Sequence, residues 1–219
     1  MTASNRHLMT ADLEHSSDDI LIAGIAAGQP EALTCLFRRR QAEVYRFALH
    51  MSGSASLADD VTQDVFLIVM RESARYRAGR SVTAWLCGIA RNCVRQRLER
   101  DARLERLAED DADQVPAVRP DPVGDLARGE RIAMLRRAVL ALPVRYREVV
   151  VLCDLEELTY ADAAAALGCA IGTVRSRLHR ARAMLAGRLT ALRPAEAPRE
   201  QAPASPTGDL PVTQKRCMA

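Results

Sequence analysis

Apolar residues in the first hundred positions recur at helical intervals and are punctuated by helix-stopping residues, which predicts four helices in succession. After a polar, aperiodic start from Met1 to Ser17, Asp18 and Asp19 offer caps for a first helix reaching Ala27, and Gly28 and Pro30 end it. A second helix, Glu31 to His50, carries Leu33, Leu36, Phe37, Val44, Tyr45 and Phe47, a stripe wide enough for the core of a bundle. Ser52 to Ser56 connects it to a third, Leu57 to Arg75, with Val61, Val65, Ile68 and Val69 inward and Asp59, Asp60, Gln63 and Asp64 on the exposed side. The loop Tyr76 to Arg80, containing Gly79, leads to a fourth helix from about Thr83 to Arg100 that grows more basic toward its end.

Periodicity is lost from Arg103 to Arg128, where acidic residues gather with Pro116, Pro120, Pro122 and Gly124, the composition of a flexible linker. It resumes near Leu126 in a helix carrying Ile132, Leu135, Val139 and Leu142, which breaks at Pro143, and another helix follows with Val149, Val150, Leu152 and Leu155 on its core face. The tail, with Pro194, Pro198, Pro203, Pro206 and Pro211, is expected to be disordered. The pattern therefore predicts an all-α protein of two small helical domains, residues 18–102 and 126–192, joined by a linker over 103–125 and flanked by disordered ends at 1–17 and 193–219.

The second domain carries the sharpest signal, a helix-turn-helix over Leu158 to Leu185. A helix from Tyr160 to Leu167 stops at Gly168, the residue best able to take a left-handed conformation. The chain re-enters a helix near Gly172 and Thr173, where Arg175, Arg177, Arg180 and Arg182 occur with no acidic residue among them. Val174, Leu178 and Leu185 form the apolar stripe that packs on the first helix, so the arginines point outward. Residues near the start of such a second helix reach base edges while other basic residues hold phosphates. Thr173, Arg175, Ser176, Arg177, His179 and Arg180 are the candidates; arginine serves either purpose, so spacing does not sort them.

A net charge of +3, from 31 basic and 28 acidic residues among 219, is small for a nucleic-acid binder, so segregation of charge carries the argument. Acids concentrate at Glu109 to Asp113 and around Asp59 to Asp64; arginines dominate Arg91 to Arg100 and Arg175 to Arg188, and Lys215 is the only lysine. Cys35, Cys87, Cys93, Cys153, Cys169 and Cys217 form no zinc-like spacing and read mostly as small buried hydrophobes. No metal, cofactor, small-molecule substrate or catalytic constellation is expected. No apolar run suggests a membrane span or a signal peptide, so the expected location is the cytoplasm, without direct membrane insertion.

The order of these segments resembles the extracytoplasmic-function group of bacterial sigma factors over nearly all of Asp18 to Leu192. Ala58 to Phe66, ADDVTQDVF, is similar to the segment that docks on the clamp helices of the largest polymerase subunit, which implicates Asp59, Asp60, Gln63, Asp64 and Phe66. Ala84 to Asn92, AWLCGIARN, is similar to the promoter-melting helix. Leu158 to Leu185, with GTVRSRLHRAR at Gly172 to Arg182, is similar to the reader of the upstream, or -35, promoter element. The resemblance implies that the loop Tyr76 to Thr83 holds a flipped base of the downstream, or -10, element, with Arg91, Asn92 and Arg95 near the non-template strand; the residues concerned are Tyr76, Arg77, Arg80, Ser81, Thr83, Arg91, Asn92 and Arg95. It also implies core RNA polymerase (including the flap of the second-largest subunit), promoter DNA and an anti-sigma factor as partners, and a linker threaded toward the RNA exit path.

Residue chemistry is compatible with these roles. An acidic, amide-bearing helix face suits a basic coiled coil, although acids at a helix start also complement its dipole. Melting is favoured by aromatic or apolar surfaces that receive unstacked bases beside cations. Trp85, alone on an amphipathic helix, reads as structural support. Val82 stands where the family commonly has an aromatic residue, and Ala163 and Asp162 replace a larger aliphatic residue and glutamate in the first helix of the DNA reader. The alternatives are a stand-alone helix-turn-helix regulator with the first domain as sensor or dimerisation unit, and an interaction module that keeps the DNA motif as a remnant.

Overall fold

Caps and turn glycines partition the chain into helices as the sequence requires. The computed structural model describes residues 13–108 and 126–192, and every regular element among them is helical. They are α1 (Asp18–Ala26), α2 (Pro30–Ser52), α3 (Ala55–Glu72) followed by a 3-10 turn (Ser73–Arg75), α4 (Val82–Ala108), α5 (Leu126–Leu140), α6 (Val144–Val150) continued by a π-helical turn (Val151–Leu155), α7 (Tyr160–Leu167) and α8 (Ile171–Leu192). Ser17, Ser54 and Thr159 each accept a backbone N–H three residues on, a capping bond worth about 1 kcal/mol at such sites. Ser17 therefore caps α1 in place of the expected Asp18 and Asp19, which fall inside its first turn. Gly53 (φ +75°) and Gly168 (φ +63°) end α2 and α7 in the left-handed conformation that a Cβ disfavours. The expectations for residues 1–12, 109–125 and 193–219 lie outside the described residues.

In the first domain α2 packs against α1, α3 and α4. Leu21, Ile22, Leu36, Val44, Phe47, Met51, Val61, Val65 and Leu86 are almost fully enclosed between them. Helix α4 continues to Ala108, beyond the expected domain edge at 102. In the second domain α8 packs on α5, α6 and α7 around Leu142, Val149, Leu152, Leu167, Val174 and Leu178. Ile132 and Leu135, expected in that core, are 44% and 40% exposed because the inward face of α5 is set by Ala138 and Val139, with Leu142 following in the turn.

Among the described residues the two helical domains are in contact. Helix α7 lies on α4, and Gly88 is what lets them approach: a Cβ there would stand 3.4 Å from the Ala166 carbonyl oxygen. Arg147 of α6 donates to the Met51 carbonyl at the end of α2 (2.6 Å), and to the Leu140 and Leu142 carbonyls of its own domain. It thereby satisfies helix-terminal acceptors on both sides of the interface. Arg46 donates to Glu156 at 3.1 Å, and Arg91 to Glu148 at 2.5 Å. Glu148 is 2% exposed, and Arg91 is its partner across the interface.

Candidate nucleic-acid interface

The helix-turn-helix forms because α7 and α8 bury complementary stripes. Ala163, Ala164 and Leu167 face Val174, Leu178, Ala181 and Leu185, all less than a tenth exposed. Thr159 caps α7 by accepting the Asp162 N–H (3.1 Å), and its hydroxyl donates to the Asp162 carboxylate (2.8 Å). Arg175, Ser176, His179 and Arg180 are exposed on the opposite side of α8; Thr173 and Arg177 are half-buried at its margin. Arg175 lies over the Tyr160 ring (5.9 Å), and Arg180 hydrogen-bonds the Tyr146 phenol, which holds that phenol's pKa below its ordinary value. Among the described residues no carboxylate pairs with Arg175, Arg177 or Arg180, which leaves three cations available to a polyanion. Arg182 differs from them: it is tied to Asp154 through two bonds of 2.5 and 3.1 Å.

On the first domain the structure brings Tyr76, Arg77, Arg80, Ser81 and Thr83 together at the start of α4. Arg91, Asn92 and Arg95 lie farther along that helix, Arg91 being about 12 Å from Thr83 at 1.5 Å per residue. Arg77, Arg80 and Asn92 are exposed. Ser81 caps α4 by accepting the Ala84 N–H at 3.2 Å, the Thr83 hydroxyl is engaged by Arg40 and Glu43, and Arg95 pairs with Glu99. The Tyr76 ring tilts against Trp85 with centroids 5.0 Å apart, so Trp85 supports the loop as its lone position suggested.

The α3 face is less simply acidic than its sequence. Asp59, Asp60 and Gln63 are exposed, but Arg97 of α4 bridges Asp60 (3.0 Å) and Asp64 (2.5 Å). Phe66, assigned to that face by resemblance, is 5% exposed and packs edge-on against Phe37, centroids 4.8 Å apart. Its place is the core, because the buried stripe of α3 is wide enough to include both Val65 and Phe66. Leu67 and Met70 instead stand 48% and 50% exposed beyond Gln63. The spacing 63, 67, 70 on one helical face is the signal that locates them.

These surfaces acquire meaning from similarity. Residues 36–104 match the family described as Sigma-70 region 2, and residues 132–185 match Sigma-70, region 4. The ECF RNA polymerase sigma factor SigM of Mycobacterium tuberculosis is 37% identical over 171 residues, 78% of this chain and 83% of that protein. The chain belongs to the extracytoplasmic-function sigma factors. SigE of Mycolicibacterium smegmatis is 38% identical over 151 residues, which cover 68% of this sigma factor and 58% of that relative's length. Among solved structures, CnrH in complex with the cytosolic domain of CnrY has a TM-score of 0.62 at 28% identity, covering 81% of this chain and 100% of that one. RpoE in complex with the anti-sigma factor NepR from Bartonella quintana has a TM-score of 0.58, also at 28% identity, covering 70% and 93%.

In this sigma factor the region 2 match contains α3, the Tyr76–Ser81 loop and most of α4; the region 4 match contains the exposed face of α8. Sequence reading missed the commitment of Arg91 to Glu148, because the partners lie 57 residues apart and in different domains. Cys35, Cys87 and Cys93 are buried, and Cys153 and Cys169 half-buried, all as free thiols. Burial, then the Glu156 and Glu43 charges, push the Cys87 thiol up to about 12. Among the described residues no group of His, Cys, Asp and Glu is placed to hold a metal ion, and no helix is long and apolar enough to cross a membrane.

Proposed function

We propose that this chain is the promoter-specificity subunit of a bacterial RNA polymerase, acting in the cytoplasm and contributing no catalytic group of its own. The second domain reads the upstream element through Thr173, Arg175, Ser176, Arg177, His179 and Arg180. The first docks on the clamp helices of the largest subunit through Asp59, Gln63, Leu67 and Met70, and uses the Tyr76–Thr83 loop with Arg91, Asn92 and Arg95 to capture the melted downstream strand. The observation that carries this reading is the pairing, in one chain, of an arginine-faced helix-turn-helix with a separate acidic and apolar helix face of the kind that suits a protein partner. The structural neighbours bound to CnrY and NepR support an anti-sigma factor as a further partner.

The test is fluorescence anisotropy of the labelled full-length protein with core RNA polymerase, beside a Gln63→Ala, Leu67→Ala double variant. Specific binding that the variant weakens about tenfold, the size of a modest interface hot spot, supports the reading. Absence of polymerase binding together with tight, salt-sensitive binding of duplex DNA by the protein alone would instead support a stand-alone regulator.

A further inference from the structure

The loop that this reading assigns to base capture is held from outside itself, by an acid on α1. Asp19 Oδ1 accepts the Tyr76 hydroxyl at 2.8 Å, and its Oδ2 accepts the Gly79 N–H at 3.2 Å, so one carboxylate spans the loop. The Tyr76 hydroxyl also lies 2.5 Å from the Arg80 carbonyl, which shares its proton across the turn. Burial first, and then the bond to Asp19, push the Tyr76 phenol above its ordinary value, so it remains a neutral donor. Gly79 has φ +83° with open space where a Cβ would stand, so the backbone shape, and not crowding, calls for glycine.

Helix α1 is itself fixed. Asp18 binds Arg39 at 2.6 Å and Arg40 at 2.5 Å, bolting α1 to α2, and Arg40 reaches on to Glu43 and Thr83 at the start of α4. The two neighbouring acids thus divide their work: Asp18 anchors the helix, and Asp19 carries that anchorage into the loop. Complementing the helix dipole would require no loop contact at all. Asp19 also precedes residues 36–104, the stretch that matches the family's region 2. What it holds in place are the backbone between exposed Arg77 and Arg80 and the ring that rests on Trp85. Hydrogen bonds to a charged acceptor are roughly twice as strong as neutral ones, so few other groups of this size constrain a short loop as well.

We propose that Asp19 is a positioning residue for base capture: its carboxylate sets the shape of the Tyr76–Ser81 loop and thereby the base preference at the downstream element. This rests on reading that loop as a base-contacting segment. The test uses holoenzyme assembled from core polymerase and the full chain, transcribing a pool of promoter duplexes randomised at both elements, with the products sequenced. Asp19→Ala should flatten preference at one or two downstream positions by about tenfold, the size of one good base contact. Upstream preference and polymerase affinity should stay at the unsubstituted protein's values, and the melting temperature should fall by only a few degrees, as expected for losing two hydrogen bonds. Asp19→Asn, which keeps an acceptor for Gly79 but loses the charge, should fall between. Unchanged downstream preference in Asp19→Ala overturns the proposal, as does an equal fall in all readouts, which marks a general fold defect. An Arg77→Ala, Arg80→Ala, Ser81→Ala variant separates the two levels of the argument. If it too leaves downstream preference untouched, the loop does not read bases and both ideas fall; if it flattens preference where Asp19→Ala does not, only the role of Asp19 falls.

Discussion

Arg91, on the helix that resembles the family's melting element, donates its Nε–H to Glu148 of the other domain at 2.5 Å. The same guanidinium cannot simultaneously serve a DNA strand at that donor, so the packed arrangement and a strand-bound arrangement compete for it. Arg46 with Glu156, and Arg147 with the Met51 carbonyl, strengthen the same interface.

Removing Glu148 should therefore have two consequences. Glu148→Ala leaves Arg91 about a fifth exposed and without its carboxylate, and the expected cost is ~2–3 kcal/mol, below the range for fully enclosed pairs. Denaturant unfolding measures that loss. Solution scattering of the same variant should show a larger radius of gyration as the domains part; an unchanged radius would mean that other contacts suffice to hold them.

Gly53 ends α2 with φ +75°, and a Cβ built there would lie 2.7 Å from Leu140 Cδ1 across the domain interface. Gly53→Ala should destabilise the protein by ~1–3 kcal/mol through backbone strain and overpacking. Adding Leu140→Ala should recover the overpacking part but not the strain, and a double-mutant cycle gives the coupling. Strict additivity would show that the two residues do not meet in solution.

Phe66 and Gln63 are three residues apart and should behave oppositely. Phe66→Ala opens a cavity beside Phe37 and should cost ~3–5 kcal/mol of stability, depressing every activity together. Gln63→Ala, at an exposed position, should leave the unfolding free energy within ~0.5 kcal/mol of the unsubstituted protein's while weakening polymerase binding.

The arginine face of α8 predicts a salt signature. Replacing Arg175, Arg177 and Arg180 with alanine should reduce the slope of log affinity against log salt for duplex DNA by up to ~3, about one for each phosphate that is no longer neutralised. Polymerase affinity should not change, because those residues lie on the other domain from α3. A parallel fall in polymerase affinity would sink the assignment.

Cys87 offers a pH test. Its thiol is pushed from 9.0 up to about 12, so the folded state holds that proton more tightly than the unfolded chain does. The sign follows from linkage: the contribution is complete below pH 9 and is lost as pH rises from 9 toward 12. At about pH 8 alkylation of Cys87 should lag far behind that of the half-buried Cys153 and Cys169, and Glu148→Ala should shorten the lag if the domains separate.

What the sequence determined by itself is local. Caps at Ser17, Ser54 and Thr159, glycines at 53 and 168 and apolar spacing at helical intervals are properties of neighbouring residues, and the helices and the helix-turn-helix follow from them. The arginine face of α8 was legible for the same reason, since Val174, Leu178 and Leu185 fix which side is inward. Tertiary structure decided whatever depends on remote partners. Periodicity does not tell how wide a buried stripe is, which is why Phe66 turned inward while Leu67 and Met70 stayed out, and why Ile132 and Leu135 escaped the core. Asp19 looks like any first-turn acid until Tyr76 and Gly79 fold over it, and Arg91 looks like a free cation until Glu148 arrives. A charge's partner is chosen by which surfaces come together: for Asp19 by the fold of the Tyr76–Gly79 loop over α1, and for Arg91 by the packing of the second domain on α4, juxtapositions that no helical repeat encodes.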